Sequence, residues 1–273
     1  MDIYDRFVAL KNKKGYDKQN ALSLAVACQL AYAKPNKVQT VVSAWGFSLI
    51  DIINVKKGRD IDTQCFIMSD DNNIIVVFRG SDSAQDWFAN FQATQDPGPL
   101  EGTGAHEGFQ DSLYPAVIAL SSHLSNQTEN KKIWITGHSL GGALCSLFAG
   151  MLIENKIEVY GIYTFASPRP GSAEFQVQLN KLVKGPHYRV VNDGDVVPHV
   201  PPEPFYSHPG SRVILKSTRV ERTKGSWLKQ RINALQNFIK MTGEKFDVAN
   251  NHRLNADENS YIPRLIKALN RSK

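Results

Sequence analysis

The chain has 273 residues, of which 42% are hydrophobic and 21% charged, and its formal net charge is +6. This length fits one large-cored domain, and we expect residues 1–273 to form it without linkers or repeats. No apolar run approaches the roughly 20 residues of a membrane span. Residues 1–18 lack the apolar core and cleavage site of a secretory signal. We therefore expect a cytoplasmic protein, one exported by a signal-independent route, or a mature chain.

A buried strand is predicted at residues 73–78. Its Ile, Val and Phe residues follow a turn rich in Asp and Asn, and Ser81 comes just past its end. Taken alone, Ser81 is typical of a helix entry.

An amphipathic helix is predicted next, at residues 83–92. Ala84, Trp87, Phe88 and Phe91 recur at helical spacing, with polar residues on the opposite side. Either this apolar face packs on the core, or it meets another apolar phase. Three large aromatic side chains on so short a helix favour some contact with lipid.

The most informative motif is G-x-S-x-G at residues 137–141. Residues 133–135 indicate a short buried strand, and apolar residues recur at helical spacing from Ala143 to Met151. Ser139 therefore occupies a sharp strand-to-helix corner that exposes its hydroxyl. The Leu140 amide faces the same space at a helix N-terminus, where unpaired N–H groups favour negative charge. We interpret Ser139 as a nucleophile rather than a helix cap.

Two aspartates are candidates for the acid that such a nucleophile requires. In hydrolases with this corner the chain order is serine, acid, histidine. Asp193 and Asp195 follow a strand predicted at residues 188–191, at the strand end where an α/β sheet places working groups.

The base must be a histidine that follows the acid. Three of the seven histidines precede the serine, and His187 precedes both aspartates, so these four fail the order. His199 is only four residues past Asp195 and is too near in sequence to reach the serine while bonding that acid. His208 and His252 both remain candidates on local grounds.

Basic residues concentrate near the C-terminus. Residues 212–245 contain nine Lys or Arg against two Glu, so this segment holds the whole positive excess. An apolar helical face lies among them. Docking on anionic lipid is one interpretation. We favour the other, a core-packed helix with a solvated basic side. No motif for nucleic-acid binding accompanies the charge, so we expect no nucleic-acid partner.

Six motifs together resemble one family. They are VVFRGS, HEGF, ITGHSLGGAL, YTFASPRPG, DVVPHVPP and YSHPG, and they occur in the order and at the spacing of the class 3 lipases. The match extends from about residue 20 to the C-terminus. The resemblance implies an α/β-hydrolase fold, in which a central, mostly parallel sheet is flanked by helices and the nucleophile lies at a strand–helix elbow.

The resemblance also implies roles for individual residues. Ser139 matches the family nucleophile, Asp195 rather than Asp193 its acid, and His252 rather than His208 its base. The sequence NNHRLNADENSYIPRLI is similar to the bacterial and plant branch, in which a histidine precedes a tyrosine-bearing helix. Many of those relatives carry Asp where Asn251 stands.

Two further features follow from the same resemblance. Ser81 matches the residue that donates its amide and hydroxyl to the oxyanion hole, together with the Leu140 amide. The helix at residues 83–92 corresponds to the lid of the fungal lipases, in which Trp87, Phe88 and Phe91 would contact substrate or lipid. A fixed surface helix, as in esterases of this fold, stays an alternative.

The sequence thus predicts a serine carboxylic-ester hydrolase, and specifically a triacylglycerol lipase acting at a lipid–water interface. Alternatives are a phospholipase or galactolipase, an esterase for soluble esters, and a catalytically silent lipid- or partner-binding protein. We expect no cofactor and no metal, since P-loop, H-E-x-x-H and zinc-ligand spacings are absent from the sequence. The three cysteines lie in apolar contexts and indicate buried free thiols.

Overall fold

The computed structural model describes residues 2–57, 61–81, 94–125, 131–216 and 250–271, and a seven-stranded sheet lies at its centre. Across the sheet the strands are β1 (Ser48–Lys57), β2 (Ile61–Ser69), β3 (Asn73–Phe78), β6 (Lys132–His138), β7 (Gly161–Phe165), β8 (His187–Asn192) and β9 (Ser211–Leu215). The pairs β1–β2 and β2–β3 are antiparallel, and every pair from β3 to β9 is parallel. Strands β4 (Gln95–Pro97) and β5 (Gly104–His106) pair separately.

Helices cover both faces of the sheet. The helices are α1 (Lys18–Leu30), α2 (Pro35–Ala44), α3 (Glu107–Ser125), α4 (Leu140–Glu154), α5 (Ala173–Leu182) and α6 (Tyr261–Asn270), and Ile3–Arg6 and Val197–His199 form short 3-10 helices. Apolar residues of α1, α2 and α6 belong to the core on one face. Those of α3, α4 and α5 belong to the core on the other.

Strand β3 shows why its sequence is continuously apolar. Ile75 and Val77 lie in the core beneath α1, while Ile74, Val76 and Phe78 lie in the core beneath α4. A strand buried on both faces has no solvent side on which polar residues would alternate. The predicted strand at residues 73–78 is confirmed with the same bounds.

The two other predicted strands are confirmed and are longer than predicted. Residues 133–135 lie within β6, which continues to His138 because Gly137 and His138 pair with neighbouring strands. Residues 188–191 lie within β8. Pairing with neighbouring strands extends a strand through residues whose own β-propensity is low.

Some predictions fall on residues that the structure does not describe. The predicted lid helix at residues 83–92, with Trp87, Phe88 and Phe91, lies outside the described residues. So does most of the basic segment, at residues 217–249. That the whole chain forms one domain therefore stays a prediction.

Two remaining predictions concern burial and the membrane. Cys28, Cys65 and Cys145 are all buried, as their apolar contexts predict. Of the helices in the described ranges, none has the length and apolar character needed to cross a membrane.

Candidate active site

The corner between β6 and α4 is shaped by backbone crowding. Ser139 has φ 56° and ψ −130°, a conformation that non-glycine residues rarely adopt. A Cβ at Gly137 would overlap the carbonyl oxygen of Gly141, and one at Gly141 would lie 2.5 Å from the carbonyl oxygen of Phe78. Both flanking positions therefore require glycine, and a strained residue held this way is typical of functional sites.

The Ser139 side chain points at a histidine from a distant part of the chain. Its Oγ lies 3.0 Å from Nε2 of His252, and both residues are buried. Ser139 precedes the first residue of α4, but its side chain makes no capping hydrogen bond. The alternative interpretation of this serine as a helix cap is therefore wrong.

Asp195 lies on the other side of the same imidazole. Nδ1 of His252 is 3.1 Å from each carboxylate oxygen of Asp195. The Val197 amide also donates to this carboxylate, at 3.1 Å. Because an ionised carboxylate only accepts hydrogen bonds, Nδ1 carries the proton and Nε2 is left to accept from the serine hydroxyl. The structure thus brings Ser139, His252 and Asp195 into one hydrogen-bonded row.

A tyrosine at the start of α6 completes the surroundings of Asp195. The Tyr261 hydroxyl donates to Oδ2 of Asp195 at 2.7 Å and accepts from the Asn192 amide at 3.0 Å. Burial, together with the neighbouring Asp195, raises the pKa of Tyr261 well above its usual value. The hydroxyl therefore keeps its proton, and the buried carboxylate is compensated by three donors.

The loop that carries His252 is fastened by side chains rather than by secondary structure. Nδ2 of Asn192, at the end of β8, donates to the carbonyl oxygens of Asn251 at 2.6 Å and Asn259 at 3.0 Å. The Ser260 hydroxyl donates to the Asn250 carbonyl at 2.9 Å and accepts from two amides of the same loop. These bonds place His252 beside the ends of β6 and β8.

The other candidates for acid and base lie outside the row. Nε2 of His208 donates to the Pro198 carbonyl at 2.6 Å. The carbonyl of His199 accepts from the Arg169 guanidinium. Asp193 is exposed to solvent. Local sequence left His208 and Asp193 open, and the structure places both outside the row.

The two residues predicted to form the oxyanion hole, Leu140 and Ser81, belong to segments next to Ser139. Leu140 is the first residue of α4, so its amide has no acceptor within the helix. Ser81 is half-buried and follows Gly80, whose backbone approaches the elbow so closely that a Cβ there would lie 3.0 Å from Cβ of Ser139. Both candidates for the oxyanion hole thus belong to segments adjoining the serine.

No metal centre accompanies this row in the described ranges. Among those residues, no group of three or more His, Cys, Asp or Glu side chains is arranged to hold a metal ion.

Sequence reasoning missed the residues that hold the row together. Asn192 is a buried polar residue at the end of a strand, and Tyr261 follows the N-cap Ser260. A tyrosine at a helix start nine residues after the histidine was visible as part of a family pattern. Its bond to Asp195 was not.

Comparisons with known proteins agree with this architecture. A family model described as lipase (class 3) matches residues 75–205. The triacylglycerol lipase OBL1 of Arabidopsis thaliana is 29% identical over 232 residues, which cover 64% of this chain and 44% of that protein. A lipase of Rhizomucor miehei is 35% identical over 163 residues, covering 55% and 44%. The chain thus spans less than half the length of these two relatives.

A solved structure extends the likeness to the fold. Lipase II from Rhizopus niveus superposes with a TM-score of 0.65 at 26% identity, covering 73% of this chain and 81% of that one. The parallel sheet, the flanking helices and the serine elbow define an α/β-hydrolase, as the sequence predicted. Within that class, residues 75–205 match the class 3 lipase family, and the two relatives named above are lipases.

Proposed function

We propose that the protein is a serine ester hydrolase, and specifically a lipase that hydrolyses triacylglycerols at a lipid–water interface. The observation that carries the proposal is the continuous row from Ser139 Oγ through His252 to Asp195, with distances of 3.0 and 3.1 Å. The names of the relatives, which include a triacylglycerol lipase, support the substrate class.

In the first half of the reaction, Ser139 Oγ attacks the ester carbonyl carbon while His252 Nε2 takes its proton. Asp195 keeps the imidazole in the required tautomer and stabilises its cation. Collapse of the tetrahedral intermediate breaks the bond to the alcohol oxygen, which receives the proton from His252. The acyl group stays on Ser139.

In the second half, His252 takes a proton from a water molecule, which attacks the acyl carbon. Collapse of the second intermediate breaks the bond to Ser139 Oγ, which receives the proton from His252, and the fatty acid is released. The intermediate in each half carries negative charge on the former carbonyl oxygen. The amides of Leu140 and Ser81, with the Ser81 hydroxyl, are the donors we assign to this charge. Removing one such donor typically lowers kcat by about 10²- to 10³-fold.

The preference for a lipid interface rests on the predicted helix at residues 83–92. Its Trp87, Phe88 and Phe91 come six, seven and ten residues after Ser81 in the sequence. An apolar helix face of this kind partitions readily from water into a lipid interface. This supports a lid that opens on substrate droplets.

Labelling with a fluorophosphonate probe tests the assignment of the row. Wild type should be labelled, Ser139→Ala should not, and His252→Ala should be labelled only very slowly. His208→Ala is the matched control, because its histidine bonds to Pro198 instead, and this variant should be labelled like wild type. Failure of the folded wild type to react would favour a silent binding protein. Loss of labelling in His208→Ala alone, with folding intact, would exclude His252 as the base.

A rate measurement through the solubility limit of tributyrin tests the substrate class. The initial rate should rise steeply once droplets form, with Ser139→Ala as the blank. A curve that saturates below the limit would make the protein an esterase for soluble esters with a fixed helix at residues 83–92. Faster release of fatty acid from phospholipid or galactolipid dispersions than from tributyrin would assign it to those lipids instead.

A further inference from the structure

We propose that Tyr32 and His138 are positioning residues that join the end of β3 to the main chain of His252. They form a hydrogen-bonded bridge behind the elbow, outside the row of three side chains. The inference rests on the proposed function, since Ser81 at the end of β3 and His252 have their roles there.

The bridge consists of three consecutive hydrogen bonds. The Gly80 amide lies 3.1 Å from the Tyr32 hydroxyl oxygen, and that oxygen lies 2.9 Å from Nδ1 of His138. Nε2 of His138 lies 2.8 Å from the carbonyl oxygen of His252. One continuous path therefore connects the residue before Ser81 with the backbone of the base.

The groups at the two ends fix every proton in this path. A backbone amide can only donate and a carbonyl oxygen can only accept. The Nε2 atom of His138 must therefore carry the proton that it donates to His252, and Nδ1 accepts. The Tyr32 hydroxyl accepts from the Gly80 amide and donates to Nδ1 of His138. All three hydrogen bonds therefore run in the same direction, from Gly80 toward His252.

The surroundings of His138 favour the neutral ring that this pattern requires. The side chain is buried, and burial, with the nearby His252, lowers the pKa of His138 to about 3. Its ring lies 5.0 Å from the ring of His252 and 6.3 Å from that of Tyr261, measured between centroids. His138 therefore packs directly behind the base while it holds the backbone of the same residue.

Close packing at Gly80 ties the oxyanion segment to the same bridge. A Cβ at Gly80 would lie 2.5 Å from the Tyr32 hydroxyl and 2.8 Å from the His138 carbonyl oxygen. Only glycine at this position allows the backbone amide to approach the Tyr32 hydroxyl to 3.1 Å. On the other side, the Arg79 guanidinium lies 5.8 Å from the centre of the Tyr32 ring. The segment just after β3 therefore contacts both parts of the Tyr32 side chain, with Arg79 near the ring and Gly80 at the hydroxyl.

The consequence concerns two distances that catalysis depends on. Ser81 must meet the oxyanion while His252 Nε2 meets Ser139, and small displacements of either group are costly. The bridge links the backbones that carry these two groups. Removing the Tyr32 hydroxyl takes the acceptor from Gly80 and the donor from His138, so both backbones lose a restraint.

Kinetics of three variants test this role with p-nitrophenyl butyrate, a soluble ester that needs no interface. Tyr32→Phe keeps the ring and removes the hydroxyl. His138→Gln keeps an amide donor near the position of Nε2 but loses the acceptor for Tyr32. Each should lower kcat about tenfold with KM nearly unchanged, for sites counted by complete fluorophosphonate labelling. The loss of kcat in the double variant should be no greater than the larger of the two single losses, because both changes break the same path.

Tyr16→Phe is the matched control, since Tyr16 packs against Tyr163 and Tyr188 away from the bridge. It should keep the kcat of wild type. If Tyr32→Phe lowered only the melting temperature and kept kcat per labelled site, the bridge would be a structural contact and the proposal would be wrong. Multiplied losses in the double variant would show two independent effects and would also contradict it.

Nitrogen-15 spectra of the histidines separate this inference from the proposed function. In wild type, His138 should be neutral with a slowly exchanging proton on Nε2. Tyr32→Phe should shift the Nδ1 proton of His252, which faces Asp195, whereas Tyr16→Phe should not. If this shift appears in a protein that hydrolyses no ester, the proposed function fails and the bridge stands. An unshifted His252 signal in Tyr32→Phe would overturn the bridge whatever the activity.

Discussion

The segments that carry the serine and the base are held by contacts of different kinds. The elbow at residues 137–142 lies between a strand and a helix, and the backbones of Gly141 and Phe78 leave no room for side chains at Gly137 and Gly141. The loop at residues 250–260 contains neither strand nor helix, and side chains from three places fasten it, including Asn192 and His138. Steric exclusion leaves the elbow one conformation. A few hydrogen bonds, each contributing about 1 kcal/mol, hold the loop.

This difference sets an order of sensitivity. A single added methyl group should disrupt the elbow, because the atoms that it meets belong to the backbone and cannot rotate away. A single change in the loop should remove part of its support and leave the fold intact. Three measurements test that order.

The largest effect is expected from Gly137→Ala. The new Cβ would overlap the Gly141 carbonyl, so the elbow must open, and we expect a loss of more than about 4 kcal/mol in the free energy of unfolding. Ester hydrolysis should vanish with it. Urea unfolding measures the first quantity and the initial rate on a soluble ester the second.

Gly15→Ala is the control for this substitution. A Cβ at Gly15 would have no neighbour within 4 Å, so stability should stay within about 0.5 kcal/mol of wild type. An elbow variant that unfolded at the same urea concentration as this control would refute steric exclusion as the cause of the elbow geometry.

An intermediate effect is expected from Asn192→Ala. The change leaves the carbonyls of Asn251 and Asn259 without their donor, which should cost about 2 to 3 kcal/mol of unfolding free energy and lower kcat about tenfold. Asn250→Ala is the control on the same loop, because that side chain is exposed and bonds only to Asp257 among the described contacts. It should change either quantity little. Equal losses in both variants would mean that the loop is not held through Asn192.

The smallest effect on the free energy of unfolding, taken over a change of one pH unit, is expected from the titration of His138. Its pKa is lowered to about 3 in the folded protein, against about 6.5 in the unfolded chain. Between these values the unfolded chain binds the extra proton, so its contribution to stability is complete above pH 6.5 and declines as the pH falls toward 3. The slope is about 1.4 kcal/mol per pH unit.

Comparing wild type with His138→Gln isolates this histidine, because all other titrating groups are common to both. Urea unfolding at pH 7, 6, 5 and 4 should give a steeper loss of stability on acidification for wild type. Parallel curves would mean that His138 is accessible to protons in the folded state, and they would also count against the buried bridge to Tyr32.

Several parts of the fold and site could be predicted from neighbouring residues alone. The strand Asn73–Phe78 was predictable because a strand buried on both faces needs apolar residues throughout. The ends of β6 were not, because Gly137 and His138 extend the strand only through pairing with β3 and β7. Choosing between Asp193 and Asp195 also required more than local sequence.

What the sequence by itself determined is the elbow and its serine, because the crowding that selects glycine at residues 137 and 141 acts over a few residues. The family motifs then pointed to Asp195 and His252. Only the tertiary structure decided how these side chains meet, since the bond from His252 to Ser139 joins residues 113 apart in the chain. The supports at Tyr32, Asn192 and Tyr261 depend on the same long-range packing. No local pattern encodes them, because each is a common polar residue whose partner is fixed only when the sheet and helices assemble.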